Sequence, residues 1–187
     1  MATGDLFGEP VIAGFALGAD IVTPEEESAL IAYIDAAGLS PFQFQQWTGK
    51  RLTRSFGWSY DFASGRFEPA DPIPEWIAPL RVRAARFAGL APADLAQVLL
   101  IRYDRGATIG WHRDRPVFDE VIGISLGASA TMRFRRRAGT RFERANVPLE
   151  PRSIYHLSGE VRRDWEHSIA ALDETRWSIT FRSLAAE

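Results

Sequence analysis

Trp111-His112-Arg113-Asp114 places an imidazole and a carboxylate two residues apart, and His167 follows later in Asp164-Trp165-Glu166-His167-Ser168-Ile169. On an extended strand residues i and i+2 share a face, so His112 and Asp114 would stand side by side while Trp111 and Arg113 point away. Two imidazoles and one carboxylate, with coordination positions left open, suit a non-haem Fe(II) that must also hold a cosubstrate and O2. A His-x-Asp pair by itself is also a common accident of solvated surface. The third ligand has to come from the other two histidines, His156 and His167. His156, in Ile154-Tyr155-His156-Leu157, reads as a core or strand histidine with a hydrogen-bond partner. The chain has no cysteine, which excludes a disulfide, thiolate chemistry and a sulfur-rich structural zinc site.

Arg176-Trp177-Ser178-Ile179-Thr180-Phe181-Arg182 is a second pattern of the same kind. Arg176, Ser178, Thr180 and Arg182 fall on one face of a regular strand and Trp177, Ile179 and Phe181 on the other. The polar face either meets solvent or lines a barrel mouth, where two guanidinium forks would grip a dicarboxylate. Arg162 and Arg163, a charged pair in a turn, read as solvated.

These groups need a scaffold, and the pattern from Gln97 onward supplies short β segments: 97–103, 109–113, 120–126, 130–136, 152–157, 165–170 and 176–183. Such a series, separated by turn formers, predicts a barrel or double-sheet jelly roll. Upstream, Thr23-Pro24-Glu25-Glu26-Glu27 reads as an N-cap, a first-turn proline and acids favoured by the helix dipole. Leu30, Ile31, Tyr33, Ile34 and Ala37 form its apolar stripe, and Gly38 ends it. A second helix is expected over about Pro79 to Ala88, stopped at Gly89. Residues 40–75 read as loops with short strands. The expected fold class is mainly β with flanking helices (α+β), with the helices buttressing one sheet.

At 187 residues the chain has the size of one domain with a substantial core. We expect a single domain over 1–187, with helices and a substrate-lid region in 1–96 and the β core in 97–184. Apolar residues make up 46% of the chain and aromatics 12%, which argues against extensive disorder. No apolar run approaches the roughly 18 residues of a membrane-spanning helix, and the first ten residues carry no secretory pattern. A cytoplasmic monomer is the default expectation. The net charge of −2 hides an asymmetry: all 22 basic residues lie beyond residue 49, and all but Lys50 are arginine.

Two stretches interleave cations with aromatics. Arg51 to Phe62 contains Arg54, Phe56, Trp58 and Tyr60, which fits backbone contact with base stacking as well as a hairpin packing its rings on the core. Arg133 to Arg144 carries six arginines in twelve residues and reads either as a solvated hairpin tip or as a hairpin lying along phosphates.

Taken in order, Leu99 to Asp114, Ile124-Ser125-Leu126-Gly127, Ser158-Gly159-Glu160-Val161-Arg162, His167-Ser168-Ile169 and Arg176 to Arg182 resemble the AlkB-like 2-oxoglutarate and Fe(II)-dependent dioxygenases. The resemblance runs from about Phe56 to Leu184. It implies a double-stranded β-helix, or jelly roll, with Fe(II) held by His112, Asp114 and His167. By the same comparison Arg176 pairs with the distal carboxylate of 2-oxoglutarate and Arg182 contacts the end that chelates iron. Tyr103 resembles the family tyrosine that hydrogen-bonds the cosubstrate, and Ser178 and Thr180 lie on the same face. The chain departs from the family at Ile101-Arg102-Tyr103, where well-known members read Asn-x-Tyr, and at Ser178, where they carry asparagine. Arg115-Pro116 stands where the bacterial repair enzyme has an acid that contacts the damaged base.

The resemblance implies a reaction in which 2-oxoglutarate and O2 yield succinate and CO2 while a C–H bond of the substrate is hydroxylated, an N-methyl group leaving as formaldehyde. It also makes the segment around Arg54, Phe56, Trp58 and Tyr60 part of a lid over the substrate, with Arg115 nearby. Dealkylation of nucleic acid, as a single strand or a flipped base, is the expected activity, in DNA repair or RNA dealkylation. The same chemistry on a protein or small molecule is the alternative, and a non-catalytic jelly-roll binding module is a third reading.

Overall fold

The computed structural model describes residues 12–44, 47–61 and 64–186. Phe62 and the N-terminal decapeptide fall outside them. Thirteen strands and three α-helices are assigned among these residues. Strands β1 (Phe15–Gly18), β2 (Ser40–Phe44), β3 (Trp47–Phe56), β6 (Leu95–Tyr103), β8 (Phe118–Gly127), β11 (Ile154–Leu157) and β13 (Arg176–Leu184) build one sheet in the order β1-β11-β8-β13-β6-β3-β2. Strands β7 (Ile109–His112), β9 (Ala130–Ala138), β10 (Arg141–Leu149) and β12 (Glu166–Ile169) build a second, ordered β10-β9-β12-β7. Strands β4 (Trp58–Tyr60) and β5 (Phe67–Pro69) form a separate hairpin. Every pairing is antiparallel. Two antiparallel sheets face to face give the expected jelly roll.

The helices cover one face of the larger sheet. Helix α1 (Pro24–Ala36) begins at a capping box, with Thr23 N–H donating to Glu26 and Glu26 N–H to the Thr23 hydroxyl. These reciprocal bonds satisfy two donors that the first helical turn leaves open. Helix α2 (Ala78–Ala88) ends where Gly89 takes a left-handed φ of 71°, a conformation glycine adopts without strain. Glu26 and Arg83 join the two helices at 2.6 Å. Leu30 and Ile34 of α1 and Leu80, Ala84 and Ala85 of α2 pack on Leu100, Ile122, Ile124, Ile179 and Phe181 of the sheet. Helix α3 (Gly159–Arg163) is a single short turn between β11 and β12.

A second apolar cluster lies between the sheets, with Val121, Tyr155 and Leu157 on one side and Met132, Phe134 and Val147 on the other. The larger sheet is thus buried on both faces, which explains why β13 reads as buried at nearly every position. The solvent-facing reading of Arg176, Ser178 and Thr180 is corrected accordingly, because Trp177, Ile179 and Phe181 meet the helices. The polar row is left facing the second sheet, with Arg176 1%, Ser178 2% and Thr180 4% exposed.

Three further differences from the sequence reading have physical causes. Strand β3 is ten residues long where loops and short strands are expected; it pairs with β6 from Arg51 to Phe56, and its polar residues on the inner face mimic a surface pattern. Strand β10 is an added strand, pairing with β9 along its whole length from Arg141 to Leu149, so the expected hairpin is present, with 137–144 exposed at its tip. Arg162 is buried rather than solvated, donating to the carbonyls of Arg115 and Phe118 and so fixing the turn after Asp114. Among the described residues no helix is long and apolar enough to cross a membrane.

Candidate metal and cosubstrate site

Pairing of β12 with β7 sets His167 opposite His112. The two rings lie 4.3 Å apart between centroids. Asp114 follows the end of β7 and turns its carboxylate between them, with Oδ1 3.6 Å from Nε2 of each histidine. The three donor atoms lie within 4.8 Å of one another. An imidazole–imidazole–carboxylate set on one side of a cavity is the donor chemistry that fits Fe(II) with positions left open.

The surroundings prepare each group for that task. His112 Nδ1 lies 2.8 Å from the Gly110 carbonyl, which can only accept, so this contact places the proton on Nδ1 and leaves Nε2 as a lone-pair donor. His167 is pushed down to about 3, first by burial and then by the neighbouring His112, so it stays neutral. Burial alone pushes the Asp114 carboxyl up, but the Arg182 guanidinium and the two imidazoles reverse this and hold it well below the usual carboxylate range. Arg182 Nε donates to Asp114 Oδ2 at 2.6 Å, leaving Oδ1 to face the imidazoles. Gln97 accepts from Arg182 Nη1 at 2.9 Å, and the Phe118 ring lies 5.2 Å from its guanidinium carbon.

Arg176 sits deeper on the same face. Its Nε donates to Ser125 Oγ at 2.9 Å, and its guanidinium carbon lies 5.0 Å from the centre of the Tyr103 ring. Its Nη1 and Nη2 are buried and have no hydrogen-bond partner among the described residues. A buried cation with unused donors is costly unless an anion completes it. This fork, aimed between the sheets, fits the far carboxylate of a dicarboxylate cosubstrate.

Sequence reasoning missed Tyr155, Ser125 and Gln97. Tyr155 pairs with Gly123 across β11 and β8, and a Cβ at Gly123 would overlap its ring. The ring therefore lies over Gly123 on the inner face, and Thr180 is the next partner of Gly123. Burial pushes its hydroxyl up to about 12, so it remains a neutral donor within the field of Arg176, Arg182 and Asp114. The readable signal was a large aromatic on one strand facing a glycine on the next, which becomes visible only once the register is known.

The expected substrate surface divides in two. Trp58 stacks on Phe67 at 4.8 Å, Phe67 meets Phe118 edge-on at 5.6 Å, and Phe118 underlies Arg182. The β4–β5 hairpin is thus coupled ring by ring to the carboxylate end of the site. Arg115 lies over the Tyr60 ring at 4.6 Å. Arg54 and Phe56, by contrast, turn toward the helices: Arg54 binds the Ala37 carbonyl and Asp71, and Phe56 is core. The expectation that these two line the substrate surface is corrected, since on β3 their parity is opposite to that of Arg51, Thr53 and Ser55. His156 pairs with Glu120 at 2.5 Å, as expected of a partnered strand histidine.

Comparison with known proteins agrees with this chemistry. The profile of the 2OG-Fe(II) oxygenase superfamily matches residues 39–182. A Xenopus tropicalis protein named tRNA (carboxymethyluridine(34)-5-O)-methyltransferase alkbh8 is 29% identical over 83% of this chain and 25% of its own length. An Arabidopsis thaliana protein named Alkylated DNA repair protein ALKBH8 homolog is 27% identical over 92% of this chain and 56% of its own. The chain thus spans about a quarter to half the length of these relatives. The uncharacterized protein L905 of Acanthamoeba polyphaga mimivirus is 26% identical over 93% of this chain and 86% of its own. The structure of OsALKBH1 superposes with a TM-score of 0.74 over 94% of this chain and 99% of that chain, at 16% identity, a likeness of fold. The chain belongs to the 2OG-Fe(II) oxygenase superfamily.

Proposed function

We propose that His112, Asp114 and His167 hold the Fe(II), that Arg176 grips the distal carboxylate of 2-oxoglutarate, and that the enzyme removes alkyl groups from nucleic acid. The observation that carries the cosubstrate part is the buried Arg176 fork with two unused nitrogens. Ser125 orients that fork through Nε, and Tyr103 backs it with a ring face. The Tyr155 hydroxyl adds a donor on the same face, taking up work that the family asparagines do where this chain has Ile101 and Ser178. Arg182 reaches the chelating end while steadying Asp114. Thr180 lies between the two arginines on the same face.

When bound, iron and 2-oxoglutarate supply an O2-dependent hydroxylation that, on an N-methyl carbon, ends in succinate, CO2 and formaldehyde. The chain's own part is orientation, exclusion of water and a fixed charge arrangement: neutral imidazoles, an ionised Asp114 and two guanidinium groups. Support for a nucleic-acid substrate comes from a cation–ring pair, Arg115 with Tyr60, and a stacked ring pair, Trp58 with Phe67, at the site's edge, since bases stack on such surfaces. The names of the relatives, which refer to tRNA and to alkylated DNA, point the same way.

Anaerobic addition of Fe(II) and 2-oxoglutarate should give the weak visible charge-transfer band of the chelate. The band should vanish in His167→Ala; an unchanged band would sink the ligand assignment. Formaldehyde release from N-methylated single-stranded oligonucleotides tests the substrate. Release from a methylated peptide or small amine alone would move the activity to the other substrate class.

A further inference from the structure

The second sheet turns a face to solvent that the iron site does not use. On β9 the inward positions are Met132 and Phe134, so Arg133, Arg135 and Arg137 point out. On β7 His112 faces in and Trp111 out. The Trp111 ring lies beneath two guanidinium groups, Arg135 at 4.4 Å and Arg133 at 5.2 Å. On β10 Phe142 is 38% exposed and has the guanidinium carbons of Arg135, Arg137 and Arg144 within 5.6 Å of its centre. A groove of about 550 Å³ opens there, lined by Arg113, Arg135, Arg136, Arg137, Phe142, Asp164 and Glu166.

Charges on this face fall into two sets. Arg135 is held by Glu166, and Arg136 by Glu143 and Glu160. Arg137 and Arg144, which share the outer parity with Phe142, are exposed and make no ion pair among the described residues. The positive excess is therefore concentrated at the β9–β10 end, beside an exposed aromatic ring. Arg113 lines the same groove and stands between His112 and Asp114 in the chain, so the groove begins one residue from two of the proposed iron ligands.

We propose that this face is a track for single-stranded nucleic acid, in which the unpaired arginines take phosphates and Phe142 takes a base face while the polymer runs past Arg113 toward the iron site. The inference rests on the nucleic-acid reading above and gives it a second contact surface. Exposed guanidinium groups flanking a ring match a polymer that alternates phosphates and bases. An acidic protein offers carboxylates to the arginines but not the regular alternation of anion and flat base that a nucleic-acid strand carries.

The test uses the full chain with fluorescein-labelled oligothymidylate and oligouridylate, followed by anisotropy across a salt series. Replacing Arg137 and Arg144 together by Gln should weaken binding roughly tenfold at low salt and make the slope of log K against log salt shallower by about 1.4 for two lost phosphate contacts. The double Lys variant should restore most of the slope, and the Fe(II)–2-oxoglutarate band should be unchanged in both. A wild-type slope in the Gln variant overturns the track and leaves the nucleic-acid reading standing. A wild type that binds neither oligonucleotide overturns that reading and the track with it. Loss in the Lys variant as large as in the Gln variant, or displacement of oligonucleotide by poly-glutamate at equal charge, overturns the proposal in favour of a structural role or an acidic protein partner. The relative affinity of the two oligonucleotides separates DNA from RNA.

Discussion

Strands β13 and β9 carry the same alternation of arginine with apolar residues, and the fold uses them in opposite ways. On β13 the apolar residues Trp177, Ile179 and Phe181 meet the helices, so Arg176 and Arg182 are driven between the sheets. On β9 the apolar residues Met132 and Phe134 meet the other sheet, so Arg133, Arg135 and Arg137 are left on the outer face, half-buried at 133 and 135 and exposed at 137. Alternation fixes which residues share a face; the next layer of structure decides which face is wet. The larger sheet has helices behind it and the smaller one does not. That one difference turns an arginine row into the proposed cosubstrate grip on β13 and into a wet cationic surface on β9.

The largest effect expected from this contrast is at Arg176. Its fork is buried with two nitrogens unused, so the folded protein bears a desolvation cost that binding relieves. Arg176→Met should weaken 2-oxoglutarate by roughly 100-fold or more, about 3 kcal/mol for a lost bidentate charged contact, measured through the anaerobic band. The same variant should unfold at an equal or higher temperature without cosubstrate, because the buried charge is gone. A lowered melting temperature with unchanged affinity would show that Arg176 is a structural ion and would erase the distinction between the strands.

The convergence of His112, Asp114 and His167 and the shared face of Arg176 and Arg182 were legible because they depend on residue type and parity, both printed in the chain. Tyr155 was not, since its role depends on lying opposite Gly123, a register that sequence spacing does not give. Arg54 and Phe56 were placed on the wrong side for a related reason. Without knowing that both faces of the larger sheet are covered, a strand with cations and aromatics on one parity and polar residues on the other has no marked interior. Arg162 was read as a surface turn, and its burial comes from carbonyls of the 115–118 turn that no local pattern announces. Helices α1 and α2, whose caps are local chemistry, came out within a residue or two of expectation.

Gly123 and Tyr155 test whether the inner face is as tightly shaped as the comparison requires. Gly123→Ala should cost about 1–3 kcal/mol of stability, since the added carbon overlaps the Tyr155 ring and the inner face cannot yield freely. Tyr155→Phe keeps the ring and removes the donor, so its melting temperature should stay near wild type while 2-oxoglutarate binds about tenfold more weakly. Unchanged affinity in Tyr155→Phe would remove the hydroxyl from the cosubstrate site.

The inner face should also respond to pH. His167 has a folded value of about 3 against an ordinary 6.5. Above 6.5 neither state binds the proton, and between 6.5 and 3 only the unfolded chain does, so stability falls as pH falls through that window. Asp114 acts lower: its stabilising contribution is present above the ordinary carboxylate value of 3.8 and is lost as pH drops below it. Metal-free protein should therefore lose up to about 2 kcal/mol between neutrality and about pH 5 through His167. His167→Asn should flatten the melting-temperature curve in that window; a curve of unchanged slope would count against a buried neutral imidazole.

The smallest effect belongs to β9. Arg137 is exposed and makes no ion pair among the described residues, so Arg137→Gln should change stability by less than about 0.5 kcal/mol. Its 2-oxoglutarate affinity should equal that of the wild type, because Met132 and Phe134 stand between this face and the cavity. The near-silence of this arginine is as informative as the loss at Arg176, since the two differ only in what lies behind their strands. A change in cosubstrate affinity beyond twofold in Arg137→Gln would mean that the faces communicate across the smaller sheet, and the division between an inner grip and an outer surface would have to be redrawn.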